Sequence, residues 1–91
     1  MLSLSVRRES EDLRMVMVKM FGPLRLKTEF QDFSAELRSV REACAEMEKR
    51  TGFPEKEFRA CVFMVNGSPA KIRTELKDGD ELVFLAPSGG G

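Results

Sequence analysis

The sequence predicts a single α+β domain, and three observations predict it. One segment carries a long helical stripe, with Leu37, Val40, Cys44 and Met47 recurring at spacings of three and four. Around it lie apolar or alternating runs of strand length, at Arg14–Phe21, Leu24–Phe30, Phe58–Val65 and Glu81–Leu85. After the last of these come Ser88-Gly89-Gly90-Gly91, where the glycines have no side chain to pack and cost much entropy to order. The implied division is a loose extension over 1–13, a folded domain over 14–86 and a thin tail over 87–91.

Composition narrows the function. The 91 residues suit one domain with a modest core. Fifteen Lys and Arg balance 15 Asp and Glu, so no bulk charge draws the chain to nucleic acid or an anionic membrane. The apolar runs are too short to span a bilayer. Met1-Leu2-Ser3-Leu4 lacks the apolar core of a signal peptide, and the expected location is cytoplasmic. Histidine is absent, which removes the commonest general base and metal ligand. Cys44 and Cys61 are too few for a metal site and read as small buried hydrophobes, Cys61 within a strand. No metal and no bound cofactor are expected, and a catalyst in its own right is disfavoured.

In chain order, Arg14–Phe21 reads as a buried strand with Val16, Val18 and Met20 on one face and Met17, Lys19 and Phe21 on the other. Gly22-Pro23 ends it. Leu24–Phe30 alternates, and is expected as an edge strand antiparallel to the first, with Leu24, Leu26, Thr28 and Phe30 inward. The helix is expected over Ser34–Arg50, capped by Ser34, with Glu36 in its first turn and Gly52-Pro54 ending it. Phe58–Val65 is almost wholly apolar, which implies a strand covered on both faces. Asn66-Gly67 is a strong turn signal because both residues tolerate positive φ. A short strand is expected around Ile72, a turn at Lys77-Asp78-Gly79-Asp80, and a last strand at Glu81–Leu85.

Three stretches carry a resemblance. Val65-Asn66-Gly67, Leu76-Lys77-Asp78-Gly79-Asp80-Glu81-Leu82, and Phe84 through Pro87 to the terminal glycines keep the spacing of the ubiquitin-like β-grasp sulfur carriers. The chain resembles the small subunit of molybdopterin synthase most, and the thiamine sulfur carrier more distantly, over about Arg14 to Gly91. The resemblance implies a mixed sheet of four to five strands with one main helix across one face. Two departures lie in the tail: Ala86 stands where the first of two prolines is usual, and Gly89 where a side chain is usual.

What the resemblance implies for function is a carrier. The carboxylate of Gly91 would be adenylated, with ATP, by a ubiquitin-activating-type adenylyltransferase. Sulfur from a cysteine desulfurase or rhodanese would then displace the nucleotide and leave a thiocarboxylate. Gly90 and Gly91 let an enzyme close around the terminus, and Pro87 stiffens the root of the tail. The implied docking partner is the large synthase subunit, gripping an apolar patch at Met17, Phe21, Val83 and Leu85 together with Pro87 and Gly89. Loops capping Phe21 and Leu85 would instead make that patch ordinary core. A protein modifier joined through its terminal glycine to lysine, a carrier for thiamine or tRNA thiolation, and a plain interaction module with an inert tail are the competing readings.

Overall fold

The computed structural model describes residues 14–86; the expected extension and the tail residues Pro87, Gly89, Gly90 and Gly91 lie outside them. Strand β1, Met15–Phe21, follows its sequence pattern, with Val16, Val18 and Met20 buried and Met17 and Phe21 exposed. Helix α1 spans Pro23–Thr28 and β2 spans Phe33–Glu36. Helix α2 covers Val40–Thr51 and α3 covers Glu55–Arg59. Strands β3, β4 and β5 are Val62–Val65, Ser68–Ala70 and Glu81–Leu85.

The five strands form one sheet in the order β2-β1-β5-β3-β4. Strand β5 runs parallel to β1 at the centre, with Met17 opposite Glu81 and Phe21 opposite Leu85. The other pairings are antiparallel. The sheet is therefore mixed. Its inner face presents Val16, Val18, Met20, Phe63, Leu82 and Phe84 to a core shared with Val40, Ala43, Cys44 and Met47 of α2. Phe84 lies edge-on to both Phe58 and Phe63, at centroid distances of 6.2 and 5.6 Å. Each such aromatic pair contributes roughly 0.5–1.5 kcal/mol beyond the area it buries.

The expected strand at Leu24–Phe30 is instead α1 and the turn after it. Pro23 sits at the start of this helix, where its fixed φ is preorganised and its missing N–H has no helical partner to lose. Leu24 and Phe30 are buried, whereas Leu26 is 83% exposed. A period of two and a single helical turn both bring Leu24 and Thr28 to one side. The hydroxyl of Thr28 donates to the Leu24 carbonyl at 2.8 Å, a helical contact. The antiparallel partner of β1 is β2, whose residues from Ser34 onward were expected to start the helix.

Ser34 therefore lies in β2 opposite Met17, and Glu36 opposite Met15. The cap of α2 is Ser39, whose Oγ accepts from the Glu42 N–H at 3.2 Å, while Glu42 Oε1 accepts from the Arg38 N–H at 2.8 Å. Ser39-Val40-Arg41-Glu42 is a capping-box sequence, and it prevails over Ser34 because the edge of β1 claims the earlier residues. Leu37 is buried from the connection before the helix rather than from the helix itself. Gly52 ends α2 as expected.

Phe58–Val65 also divides. Phe58 belongs to α3, Cys61 lies in the bend before β3 rather than in a strand, and only Val62–Val65 pairs. Coverage is one-sided: Phe63 is buried and Val62 is 55% exposed. The short strand falls at Ser68–Ala70, not around Ile72. It follows immediately from the Asn66-Gly67 turn, where both residues have positive φ, 52° and 84°.

The Asp78-Gly79-Asp80 turn ties three elements together. Asp78 Oδ1 accepts from the Met15 N–H at the start of β1, and Asp80 Oδ2 from the Lys77 N–H. The Asn66 side chain bridges across, donating to Asp80 Oδ1 and accepting from the Glu81 N–H, both at 2.9 Å. Two stretches that share only a spacing in the sequence thus touch. No helix among the described residues is long and apolar enough to cross a membrane.

Candidate functional site: the outer sheet face and the tail root

Helix α2 covers one side of the sheet, so the odd-numbered side chains of β1 and β5 stand on the other. Alternation along a strand dictates this, because successive side chains point to opposite faces. Phe21, Leu85 and Val62 are aligned across β1, β5 and β3; Lys19, Val83 and Met64 form the next row. Met17 continues the face along β1. Phe21 is 51% exposed and Met17 40%, while Val83 and Leu85 are half-buried by their neighbours and lie outside the core cluster. Among the described residues, no loop caps Phe21. The four described residues expected in the patch are thus brought together on one face.

Two members escaped the sequence reading. Val62 and Met64 extend the patch onto β3, and Lys19 inside it pairs with Glu81, Nζ to Oε2 at 2.7 Å. The alternation of Val62 and Met64 against Phe63 and Val65 was present in the sequence. It was hidden because Phe58 to Val65 read as a single apolar run.

The tail leaves from the same corner. The Ala86 N–H donates to the Phe21 carbonyl at 3.0 Å, which carries the β1–β5 pairing one residue past β5. A proline at 86 could not make this bond, so the departure from the usual pattern has a structural consequence. Gly22, at φ +106°, faces Ala86 so closely that a Cβ there would stand 2.8 Å from the Ala86 carbonyl oxygen. The last described residue is therefore held against the end of β1.

The rest of the domain offers little chemistry. No cluster of metal-ligating side chains occurs among the described residues. Both cysteines are free and buried. Burial pushes the Cys44 thiol up to about 12 and the Cys61 thiol up to about 11, so both remain protonated at neutral pH. A protonated, buried thiol is a poor nucleophile. This agrees with a packing role for each.

Comparison with known proteins bears on this arrangement. No curated protein matches the chain. Among solved structures, it is similar to a chain in the complex of subunits 1 and 2 of molybdopterin-converting factor from Helicobacter pylori, at 28% identity and TM-score 0.62, covering 85% of this chain and 99% of that one. It is also similar to a candidate molybdopterin converting factor subunit 1 from Pyrococcus furiosus, at 27% identity and TM-score 0.62, covering 81% and 98%. The small archaeal modifier protein 1 of Methanosarcina acetivorans shares the fold at 21% identity and TM-score 0.72, covering 87% and 98%. The domain has the ubiquitin-like β-grasp fold. The model of the ThiS family matches residues 18–91, most of the chain and all of its glycine tail, and the protein belongs to that family.

Proposed function

We propose that this protein is a sulfur carrier, activated at the Gly91 carboxylate and serving as the small subunit of molybdopterin synthase in the cytosol. The observation that carries the proposal is the continuity of the exposed apolar face with the root of the tail, through Phe21, Leu85 and Ala86. A partner seated on Phe21, Leu85, Val83 and Met17 would receive Pro87, Gly89 and the terminal glycines into its own site. The likeness to a chain from a two-subunit complex favours a large synthase subunit as that partner. An exposed contiguous apolar area on a small domain commonly marks such a site.

The chemistry asks little of the carrier. A carboxylate is a poor electrophile, so its oxygen first attacks the α-phosphorus of ATP on the activating enzyme and pyrophosphate leaves. The outer sulfur of a cysteine persulfide on a desulfurase or rhodanese then displaces AMP from the acyl-adenylate. A second thiol attacks the donor cysteine's sulfur in the resulting acyl disulfide, forming a new disulfide with it and releasing the thiocarboxylate. Gly90 and Gly91 contribute by having no side chain, which admits the terminus to a narrow channel. No acid, base or metal on the carrier is required.

Deleting Gly91 tests the proposal. The truncated protein should fold normally yet support no ATP–pyrophosphate exchange by the activating enzyme. Exchange at the full-length rate would overturn the carrier reading. Intact mass then separates the alternatives: exchange of one oxygen for sulfur on protein from its own cells supports the carrier, whereas lysine-linked conjugates support a modifier.

A further inference from the structure

Lys19 stands between Met17 and Phe21 on the apolar outer face, and Glu81, the first residue of β5 and a neighbour of Asn66, reaches it from the end of the strand. In the parallel β1–β5 register Met17 is opposite Glu81 and Lys19 opposite Val83, so the charged pair meets on the diagonal. Met17 and Phe21 flank Lys19 along β1, and Met64 lies beyond Val83 on β3. The Glu81 carboxylate raises the Lys19 ammonium above its ordinary range, first through their direct contact and then through its charge. The more distant Asp32 acts on it in the same direction. The side chains are 36% and 44% exposed, so water screens the pair in the free protein and it contributes little to folding.

A partner covering this face changes that balance. The two charges leave water together, and as a pair they need no counter-charge from outside. Either one alone would become an uncompensated charge under an apolar interface, which is strongly unfavourable. We propose that the Lys19–Glu81 pair is a specificity-determining element of the docking face. Neutral as a unit, it accepts a partner surface that is uncharged at this point and disfavours one that brings its own charge there. The inference rests on the docking role given to this face above.

A double-mutant cycle tests it, with binding to the large molybdopterin synthase subunit of the same organism measured for wild type, Lys19→Met, Glu81→Gln and the double variant. Each single change should weaken binding about tenfold or more, while the double variant returns to within about threefold of wild type. Melting temperatures of the four free proteins should agree within about 3 °C, because the pair is solvent-screened before binding. Additive losses, or one single variant binding as well as wild type, would overturn the inference, the latter meaning that the partner supplies a charge of its own. Phe21→Glu separates the two readings. Wild-type binding abolished by Phe21→Glu, with an additive cycle, sinks the ion-pair inference alone; no wild-type binding at all sinks the synthase reading and this inference with it.

Discussion

The two faces of the sheet are built from the same residue types and serve opposite ends. On the inner face Val16, Val18, Met20, Leu82 and Phe84 are wholly buried under α2. On the outer face Met17, Phe21, Val83, Leu85 and Val62 are just as apolar, but among the described residues no helix lies over them. The inner residues obtain their stabilisation on folding, at roughly 25 cal/mol per Å² of apolar area removed from water. The outer residues keep part of theirs in reserve until something covers them. Alternation along each strand therefore separates a face that is buried on folding from one that stays exposed.

Placing a charge on each face should break this comparison most sharply. Phe84→Glu puts an unpaired carboxylate between Phe58 and Phe63 and should cost more than about 4 kcal/mol, enough to unfold the domain. Leu85→Glu, the next residue, should leave a cooperative melting transition with a loss of about 1 kcal/mol or less. Equal collapse of the two variants in thermal denaturation would mean that the outer face is core. Binding should reverse the order of importance: Leu85→Glu or Phe21→Glu should weaken capture of the large subunit by about 2–4 kcal/mol, as for a central hot spot. Calorimetric titration on folded variants measures this.

A smaller effect separates the faces by pH. Cys44 and Cys61 are buried on the core side with thiols held at about 12 and about 11, above the ordinary 9.0. Above pH 9 the unfolded chain ionises its thiols while the folded one keeps them protonated, so unfolding gains. Stability should fall as pH rises from 9 towards 11, with each cysteine contributing a slope of up to about 1.4 kcal/mol per pH unit. Replacing both with alanine should lower stability at pH 7 through small cavities but flatten the alkaline slope. Urea denaturation at pH 7 and pH 10 is the measurement, and an unchanged slope would place the thiols outside the core. Sulfur transfer should survive the double replacement.

The smallest expected effect compares two serines. Ser39→Ala removes the cap of α2 and should cost about 1 kcal/mol. Ser34→Ala, on β2 beside Met17, should fall within about 0.5 kcal/mol of wild type. The reverse order in denaturant titrations would restore the helix start that sequence periodicity suggested.

The sequence by itself determined the elements whose signals are local or repeated. The alternation of β1 and β5 named both faces correctly, because a strand offers no freedom in which side each residue takes. The stripe of Val40, Cys44 and Met47, the Asn66-Gly67 turn and the Lys77–Asp80 turn were legible for the same reason: backbone chemistry at those residues allows few alternatives. Alternation put Met17, Phe21, Val83 and Leu85 on one face, and the family resemblance made that face the candidate patch.

Tertiary structure decided what local pattern left ambiguous. Leu24–Phe30 satisfies a strand period and a helical turn equally well, and the competition for the free edge of β1 settled it in favour of Phe33–Glu36. That same competition moved the helix cap from Ser34 to Ser39. Val62 and Met64 joined the outer face only because β3 pairs antiparallel with β5, and Lys19 met Glu81 only because β1 and β5 run parallel. Sequence separation conceals such contacts, since burial and register belong to the assembled sheet and not to any one of its strands.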